Sequence, residues 1–320
     1  MTGDRAVTPF GHGSISLGLH LSDQTSAAKR VEHLIELGRV AEQEGFDGVT
    51  VSEHHAGFPG YLPQPLLAVN WLLSATRTVW AAPAPMLLGV RNPRLVAEEI
   101  AWTAARFPGR VGAAVAPGYA RTDFDALDVP FDDRIRRSRA ALEVLAEELR
   151  GDGGLAVDPA VAALATDAVP LLGGANSTTG VDALARLQLG LVFPGGEDPA
   201  RLGDLARRYR AAGGVGPVVW IRHLWIGERP NTAAARAAAD QFRQAAAAGM
   251  RQAGGFHHDG TSGDPALLVE RLAQDLAAVG ASAMNVRVHV AGAAPEVVQQ
   301  QVRSVGELLA SARHTLPWGS

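Results

Sequence analysis

A strand followed by a helix recurs eight times along the 320 residues, and this alternation predicts a closed parallel (β/α)8 barrel. Two further observations agree with it. The strand segments are short apolar runs, and each following segment carries apolar residues at helical spacing. Hydrophobic residues make up 47% of the chain and charged ones 19%, which leaves enough apolar surface for a sheet covered on its outer face by helices.

The first unit reads as strand Ser14–Leu21 (SISLGLHL) and helix Lys29–Gln43, where Val31, Leu34, Ile35, Leu37, Val40 and Ala41 follow the 3.6-residue period. Strand Gly48–Ser52 and helix Gln64–Ala75 come next, then strand Val79–Pro83 and helix Pro93–Phe107, whose Pro93 suits a first helical turn. Strand Arg110–Ala116 leads to helix Asp133–Leu149, Val169–Leu172 to Thr178–Leu187, and Leu189–Phe193 to Pro199–Ala211. The last two units are strand Pro217–Ile226 with helix Thr232–Met250 and strand Ala283–Val290 with helix Pro295–Ala312. Strict β-then-α order implies parallel strands joined by right-handed crossovers, and eight units fit a closed barrel better than the alternative, an open doubly wound sheet. Two segments break the rhythm: Gly151–Asp167 before the fifth strand and Arg251–Leu272 before the eighth, the latter read as a mobile loop containing GGFHHDGTSGD. Neither has the composition of a linker, so residues 1–320 are read as one domain.

Charge and cysteine content narrow the function. A formal net charge of -4 and an isoelectric point near 6.2 give no basic footprint for nucleic acid or an anionic membrane. The chain has no cysteine, which excludes disulfides, thiolate metal sites and a cysteine nucleophile, so redox chemistry requires a bound cofactor. No signal peptide is legible in residues 1–13 and no apolar run is long enough to span a bilayer; a cytoplasmic protein is expected.

In such barrels the loops after the strands build the site. After the second strand lies Ser52-Glu53-His54-His55. Histidine exchanges protons near neutral pH and an adjacent carboxylate can orient it, so His54 and Glu53 are candidate catalytic groups; histidines merely hydrogen-bonded at a strand end are the alternative. Adjacent residues on an extended chain face opposite ways, which disfavours one metal held by both His54 and His55. After the third strand, Ala82-Pro83-Ala84-Pro85-Met86 contains two X-Pro bonds, consistent with a cis bend or a plain extended exit. After the fourth, in Pro117-Gly118-Tyr119-Ala120-Arg121-Thr122-Asp123-Phe124, Gly118 permits close backbone approach to a ligand and Tyr119 offers a flat face and a hydroxyl, although an ordinary loop has the same composition. After the fifth, Gly173-Gly174-Ala175-Asn176-Ser177-Thr178-Thr179 runs straight into a helix; free amides, hydroxyls and the helix dipole suit a phosphate, and the same residues suit a simple N-cap.

Together the strings EGFDGVTVSEHH, NPRLVAEEIAWTAARFPGRVGAAVAPGYARTDFDALDVPFDDR and LLGGANSTT resemble the luciferase-like monooxygenase family, with recognisable order from Ser14 to about Phe193. The family pattern has E-H-H after the second strand and G-Y-x-x-x-D/E-F after the fourth. The resemblance implies a bacterial-luciferase-like barrel in which reduced FMN, or a deazaflavin coenzyme in one branch, lies across the strand ends and oxygen adds to the reduced FMN. It assigns His54 as the catalytic acid/base with Glu53 beside it. Ala84-Pro85 falls where relatives carry a cis peptide under the flavin, Gly118 and Tyr119 fall in the cofactor loop, and Gly174, Asn176, Ser177, Thr178 and Thr179 match the phosphate segment. In luciferase an arginine ends the fourth strand; here Ala116-Pro117 stands there, leaving Arg121 or Arg91 as the phosphate's countercharge, or a phosphate held by fewer contacts. No G-x-G-x-x-G for a nicotinamide is present, so the resemblance implies a separate flavin reductase as partner, with oxygen and a small organic molecule as substrates. A deazaflavin-dependent oxidoreductase moving a hydride and a catalytically silent partner subunit are the rivals; the arginine- and alanine-rich composition, typical of a GC-rich actinobacterial genome, keeps the first open. A homodimer through the second and third helices is expected, with Trp71, Trp102 and Phe107 as either its face or core. Whether His257 and His258 close over the site is left open.

Overall fold

The computed structural model describes residues 8–21, 26–249, 261–262 and 264–318. In chain order the elements are β1 (Ile15–Leu19), α1 (Ala27–Gln43), β2 (Gly48–Val51), α2 (Pro65–Ala75), β3 (Trp80–Pro83), β4 (Met86–Leu87), α3 (Pro93–Arg106), β5 (Ala113–Ala116), α4 (Arg121–Asp125), α5 (Arg134–Glu148) and α6 (Pro159–Ala163). They continue with β6 (Leu171–Gly174), α7 (Thr178–Arg186), β7 (Gly190–Phe193), α8 (Pro199–Ala211), β8 (Val218–His223), β9 (Trp225–Ile226), α9 (Ala233–Gly249), β10 (Thr261–Ser262), α10 (Pro265–Val279), β11 (Ala283–Arg287) and α11 (Pro295–Ala312).

All pairings are parallel, in the order β3-β2-β1-β11-β8-β7-β6-β5-β4. β3 and β4 are two halves of one barrel strand, separated by the cis Ala84–Pro85 peptide, and through them the ring closes. β3 holds β2 on one side, while on the other the Ala81 amide donates to Arg110 O (2.9 Å), the Gly112 amide donates to Ala81 O (3.2 Å), and β4 pairs with β5. The result is the expected (β/α)8 barrel. Helix starts follow their capping chemistry: Asn92, Asp158, Asp198 and Asp264 each accept from a backbone amide ahead of a proline in the first turn.

The structure departs from the expected elements where polar residues obscured a helix. The supposed loop does not extend to Leu272, because α10 begins at Pro265 and buries Leu268, Leu272 and Leu276. Residues 251–260 of that loop, with His257 and His258, lie outside the described residues. Within Gly151–Asp167 the short helix α6 packs on α3. The expected strand Pro217–Ile226 divides at Leu224, beyond which β9 pairs with β10 instead of entering the barrel.

Alternate residues of the strands face helices or barrel interior. The helix-facing layer includes Leu17, Val49, Val115, Leu191 and Val286. The interior is filled at its N-terminal end by Phe10, whose ring lies 4.7 Å from that of Trp80. Burying two such rings contributes roughly 4–6 kcal/mol apiece. Room for them comes from small neighbours: a Cβ on Gly112 would sit 2.8 Å from the Phe10 ring, and one on Gly48 would collide with Trp80. Above this plug Asn285 donates to Ser16 Oγ and Thr50 Oγ1, both at 2.9 Å. Among the described residues no helix is long and apolar enough to cross a membrane.

Candidate active site

The chain leaving β2 stays extended, so Ser52 and His54 turn toward the barrel axis while Glu53 and His55 turn away. His54 is buried, with Phe58 stacked on it at 4.2 Å and Tyr61 edge-on at 4.6 Å. Its Nδ1 lies 2.8 Å from Asp123 Oδ2, and the other oxygen of Asp123 accepts from the His55 amide at 2.8 Å. Asp123 is fully buried on α4. A carboxylate only accepts, so Nδ1 carries the proton and the lone pair of neutral His54 is on Nε2, 3.1 Å from the Tyr119 hydroxyl. Burial, followed by the neighbouring Tyr61 and Asp123, pushes the Tyr119 phenol well above its usual range, so near neutral pH it remains an O–H donor to Nε2. The three groups form a relay, Asp123–His54–Tyr119. Gly118 makes the necessary turn at φ +83°, and a Cβ there would lie 2.9 Å from the Phe124 ring.

Glu53 is placed elsewhere than beside the His54 ring. Its buried carboxylate accepts from His55 Nε2 (2.7 Å), the Leu87 amide (2.8 Å) and Arg91 Nη2 (2.8 Å), and so ties the end of β2 to β4. The carboxylate that reaches His54 is Asp123, which the sequence reading passed over. The signal was present as the acidic position of G-Y-x-x-x-D/E-F.

Ala84 and Pro85 form the rim between β3 and β4; the carbonyl of Ala84 accepts from Ser52 Oγ at 2.6 Å and Arg287 Nη2 at 3.2 Å. At the end of β6, Gly174 lies against β5, where a Cβ would come within 3.2 Å of Ala116. Ser177 caps α7 through Gly180 N at 3.3 Å, and Thr178 and Thr179 are exposed in its first turn. Asn176 presents its carbonyl to Arg201 Nη2 at 2.6 Å. Neither arginine expected to face a phosphate is placed to do so: Arg91 is committed to Glu53, and Arg121 pairs with Asp132 over the Phe131 ring. The cation beside the Ser177–Thr179 segment is Arg201 of α8, which is itself paired with Glu197 at 3.0 Å.

The opposite side of the mouth is basic. Arg287 at the end of β11 is cross-strand partner to His223 on β8 and to Gly18 on β1. One level higher, His20 stacks on His289 with centroids 4.6 Å apart. Burial, then His289, Arg287 and His223, hold the His20 imidazole well below its ordinary value. Arg287 carries no local signal, because NVRVHV looks only like a buried strand. No cluster of His, Cys, Asp and Glu suited to a metal ion occurs among the described residues.

A parallel barrel with its polar groups gathered at the C-terminal strand ends is a class of scaffold in which loops carry the function. The chain belongs to the luciferase-like monooxygenase family, whose model matches residues 12–312. It is 29% identical over 136 residues to N-acetyl-S-alkylcysteine monooxygenase of Bacillus subtilis, covering 41% of this chain and 40% of that protein. It is 30% identical over 151 residues to the F420-dependent glucose-6-phosphate dehydrogenase of Rhodococcus hoagii, covering 43% and 42%. The matches thus span about two fifths of these relatives. The fold superposes on a Streptomyces bottropensis monooxygenase with a TM-score of 0.74 at 18% identity, covering 93% of this chain and 99% of that one. The oxygenating constituent of 3,6-diketocamphane monooxygenase from Pseudomonas putida, solved with FMN, gives 0.69 at 15% identity, covering 93% and 98%.

Proposed function

We propose that the protein is an oxidoreductase, a monooxygenase that receives reduced FMN from a separate flavin reductase and uses molecular oxygen to oxidise a small organic substrate. The observation that carries this reading is the Asp123–His54–Tyr119 relay at the mouth of a luciferase-like barrel. The residues present fit a phosphate-bearing flavin. Gly174 keeps the β6 rim low, the start of α7 offers free amides with the hydroxyls of Ser177, Thr178 and Thr179, and Arg201, ion-paired with Glu197 at 3.0 Å, stands beside them. Gly118 and Tyr119 face the same mouth from β5, and Ala84–Pro85 forms the ledge between β3 and β4. Bound there, reduced FMN supplies the electrons that activate oxygen.

The chain's own residues handle the proton. His54 Nε2 takes a proton from the reacting group, and Asp123 holds the ring in one tautomer and stabilises the imidazolium that forms. The proton reaches Nε2 through Tyr119, which passes its hydroxyl proton to His54 and takes the reacting group's proton onto its own oxygen in exchange. Glu53 positions the β2 end without touching the reaction.

A second reading is a deazaflavin-dependent oxidoreductase, favoured by the similarity to an F420-dependent dehydrogenase; a silent partner subunit has no use for the relay. Anaerobic titration with photoreduced FMN and, separately, with reduced deazaflavin, followed by admission of oxygen, separates the readings. Tight reduced FMN with a transient oxygen-dependent absorbance supports the monooxygenase. Selective deazaflavin binding moves the protein to hydride transfer, and binding of neither refutes both. We also infer a cytoplasmic homodimer. The outer face of α2 and α3 exposes Leu67, Leu95 and Trp102, whereas Phe107 is core and Trp71 packs against it.

A further inference from the structure

Among the described residues, the buried cation Arg287 has no acidic partner. It is 8% exposed, and its two hydrogen bonds, to Ser52 Oγ (2.9 Å) and Ala84 O (3.2 Å), both leave from Nη2. Nε is buried with no hydrogen-bond partner, and no Asp or Glu of the described residues pairs with the guanidinium. The two buried carboxylates of the mouth are consumed on the β2–β5 side, Asp123 by His54 and His55, Glu53 by His55 and Arg91. An uncompensated buried charge is costly, and the expected compensation is a ligand of opposite sign.

The surroundings are shaped for the side chain. Gly18 leaves it space: a Cβ there would meet Arg287 Cγ at 2.9 Å and Nε at 3.2 Å. His223 is its cross-strand neighbour, and the stacked His20 and His289 stand one residue pair nearer the opening. The charged groups around His20 are His289, Arg287 and His223, all basic, and they disfavour its protonation. A negative charge seated among them would relieve both the guanidinium and the imidazoles.

We propose that the β1–β8–β11 quadrant of the mouth is an anion subsite, and that the substrate carries a carboxylate, or an ionised oxygen acid of similar size, that pairs with Arg287. The inference rests on the reading of this mouth as the reaction site and deepens it by naming the substrate's chemical class. Arg287 grips one end of the substrate and so fixes the part presented toward His54, on the neighbouring β2 edge.

The test uses the purified full chain without flavin, so its outcome is independent of cofactor identity. Isothermal titration with benzoate is compared with benzamide, the neutral molecule of nearly the same shape. Benzoate is expected to bind at least tenfold more tightly, and Arg287→Gln to lose roughly tenfold or more of that affinity while reduced FMN binding stays within about twofold. A proton NMR titration of His20 gives a second readout should Arg287→Gln fail to fold: benzoate raises the imidazole's pKa and benzamide leaves it. Equal binding of the two probes, or full benzoate affinity in Arg287→Gln, overturns the proposal. Loss of reduced FMN binding with benzoate unaffected also overturns it, by assigning the charge to the cofactor.

Discussion

Replacing Asp123 with Asn keeps the shape of the side chain and changes the proton map of the site. In the native protein two buried donors, His54 Nδ1–H and the His55 amide, each end on one oxygen of Asp123 at 2.8 Å. Asparagine has a single acceptor oxygen. The backbone amide cannot change its polarity, so the oxygen stays with His55 and the NH2 turns to His54. To receive that donor Nδ1 must give up its proton, and the tautomer reverses, placing N–H on Nε2 and removing the lone pair now facing Tyr119. Hydrogen bonds to a charged group contribute about 1.5–3 kcal/mol each, so the neutral replacement costs about 1–3 kcal/mol. Asp123→Ala strands both donors and costs about 2–6 kcal/mol. Turnover of Asp123→Asn falls by about two to four orders of magnitude, the range for general acid–base catalysis. Two assays are needed, and the first requires no substrate. Long-range proton–nitrogen NMR of 15N-histidine protein should show His54 protonated at Nδ1 in the native chain and at Nε2 in Asp123→Asn, with urea denaturation giving the stability loss. An unchanged tautomer, or an Asp123→Ala protein as stable as the parent, refutes the relay.

Three further outcomes follow from the same geometry. Glu53→Ala leaves Arg91, His55 and the Leu87 amide without their buried acceptor and should cost about 3–5 kcal/mol in urea melts; a loss of activity at unchanged stability would instead make Glu53 a catalytic group. The folded pKa of His20 is depressed below 6.5, so the unfolded chain takes the proton first on acidification. Stability contributed by neutral His20 is full above about pH 6.5 and is lost as pH falls toward the folded pKa, by at most about 1.4 kcal/mol per pH unit. A His20→Gln variant should show a flatter decline between pH 7 and 5 in denaturation midpoints, and parallel curves would discount this histidine. Trp102 stands 55% exposed on α3, and Trp102→Glu should turn a dimer into a monomer in light scattering; a native chain already monomeric at micromolar concentration removes the proposed interface.

The barrel was legible because every unit writes its burial pattern locally. The apolar face of α1 and the alternation in β1 come from the same contacts that bury Leu34, Val40 and Leu17. Helix α10 carries an equally clear pattern, Leu268, Leu272 and Leu276 behind an Asp264–Pro265 start, but the polar run before it drew the loop assignment past its first turns. His54 and Tyr119 could be picked out because each follows a strand in a short motif. Asp123 was harder, since its pairing with His54 spans 69 residues and depends on the turn at Gly118. Glu53 adjoins His54 in the chain, yet strand alternation sends the two side chains to opposite sides, and it is His55, two residues on, that Glu53 meets. Arg287 lacks any local signal. An arginine within NVRVHV is read as interior only once the register of β11 between β1 and β8 is known.

The Phe10–Trp80 pair fills the base of the barrel, so under the proposed function the ligands share the C-terminal mouth. With that end corked by two aromatic rings, the interior is a cup with one lip, and its contents obey the order of a stack. A molecule that must touch Arg287 enters before anything that covers it, and a product resting on the floor leaves only after its cover lifts. Under the proposed function, product departure and cofactor exchange compete for that mouth, and kinetic patterns of inhibition between them report the depth at which each is held.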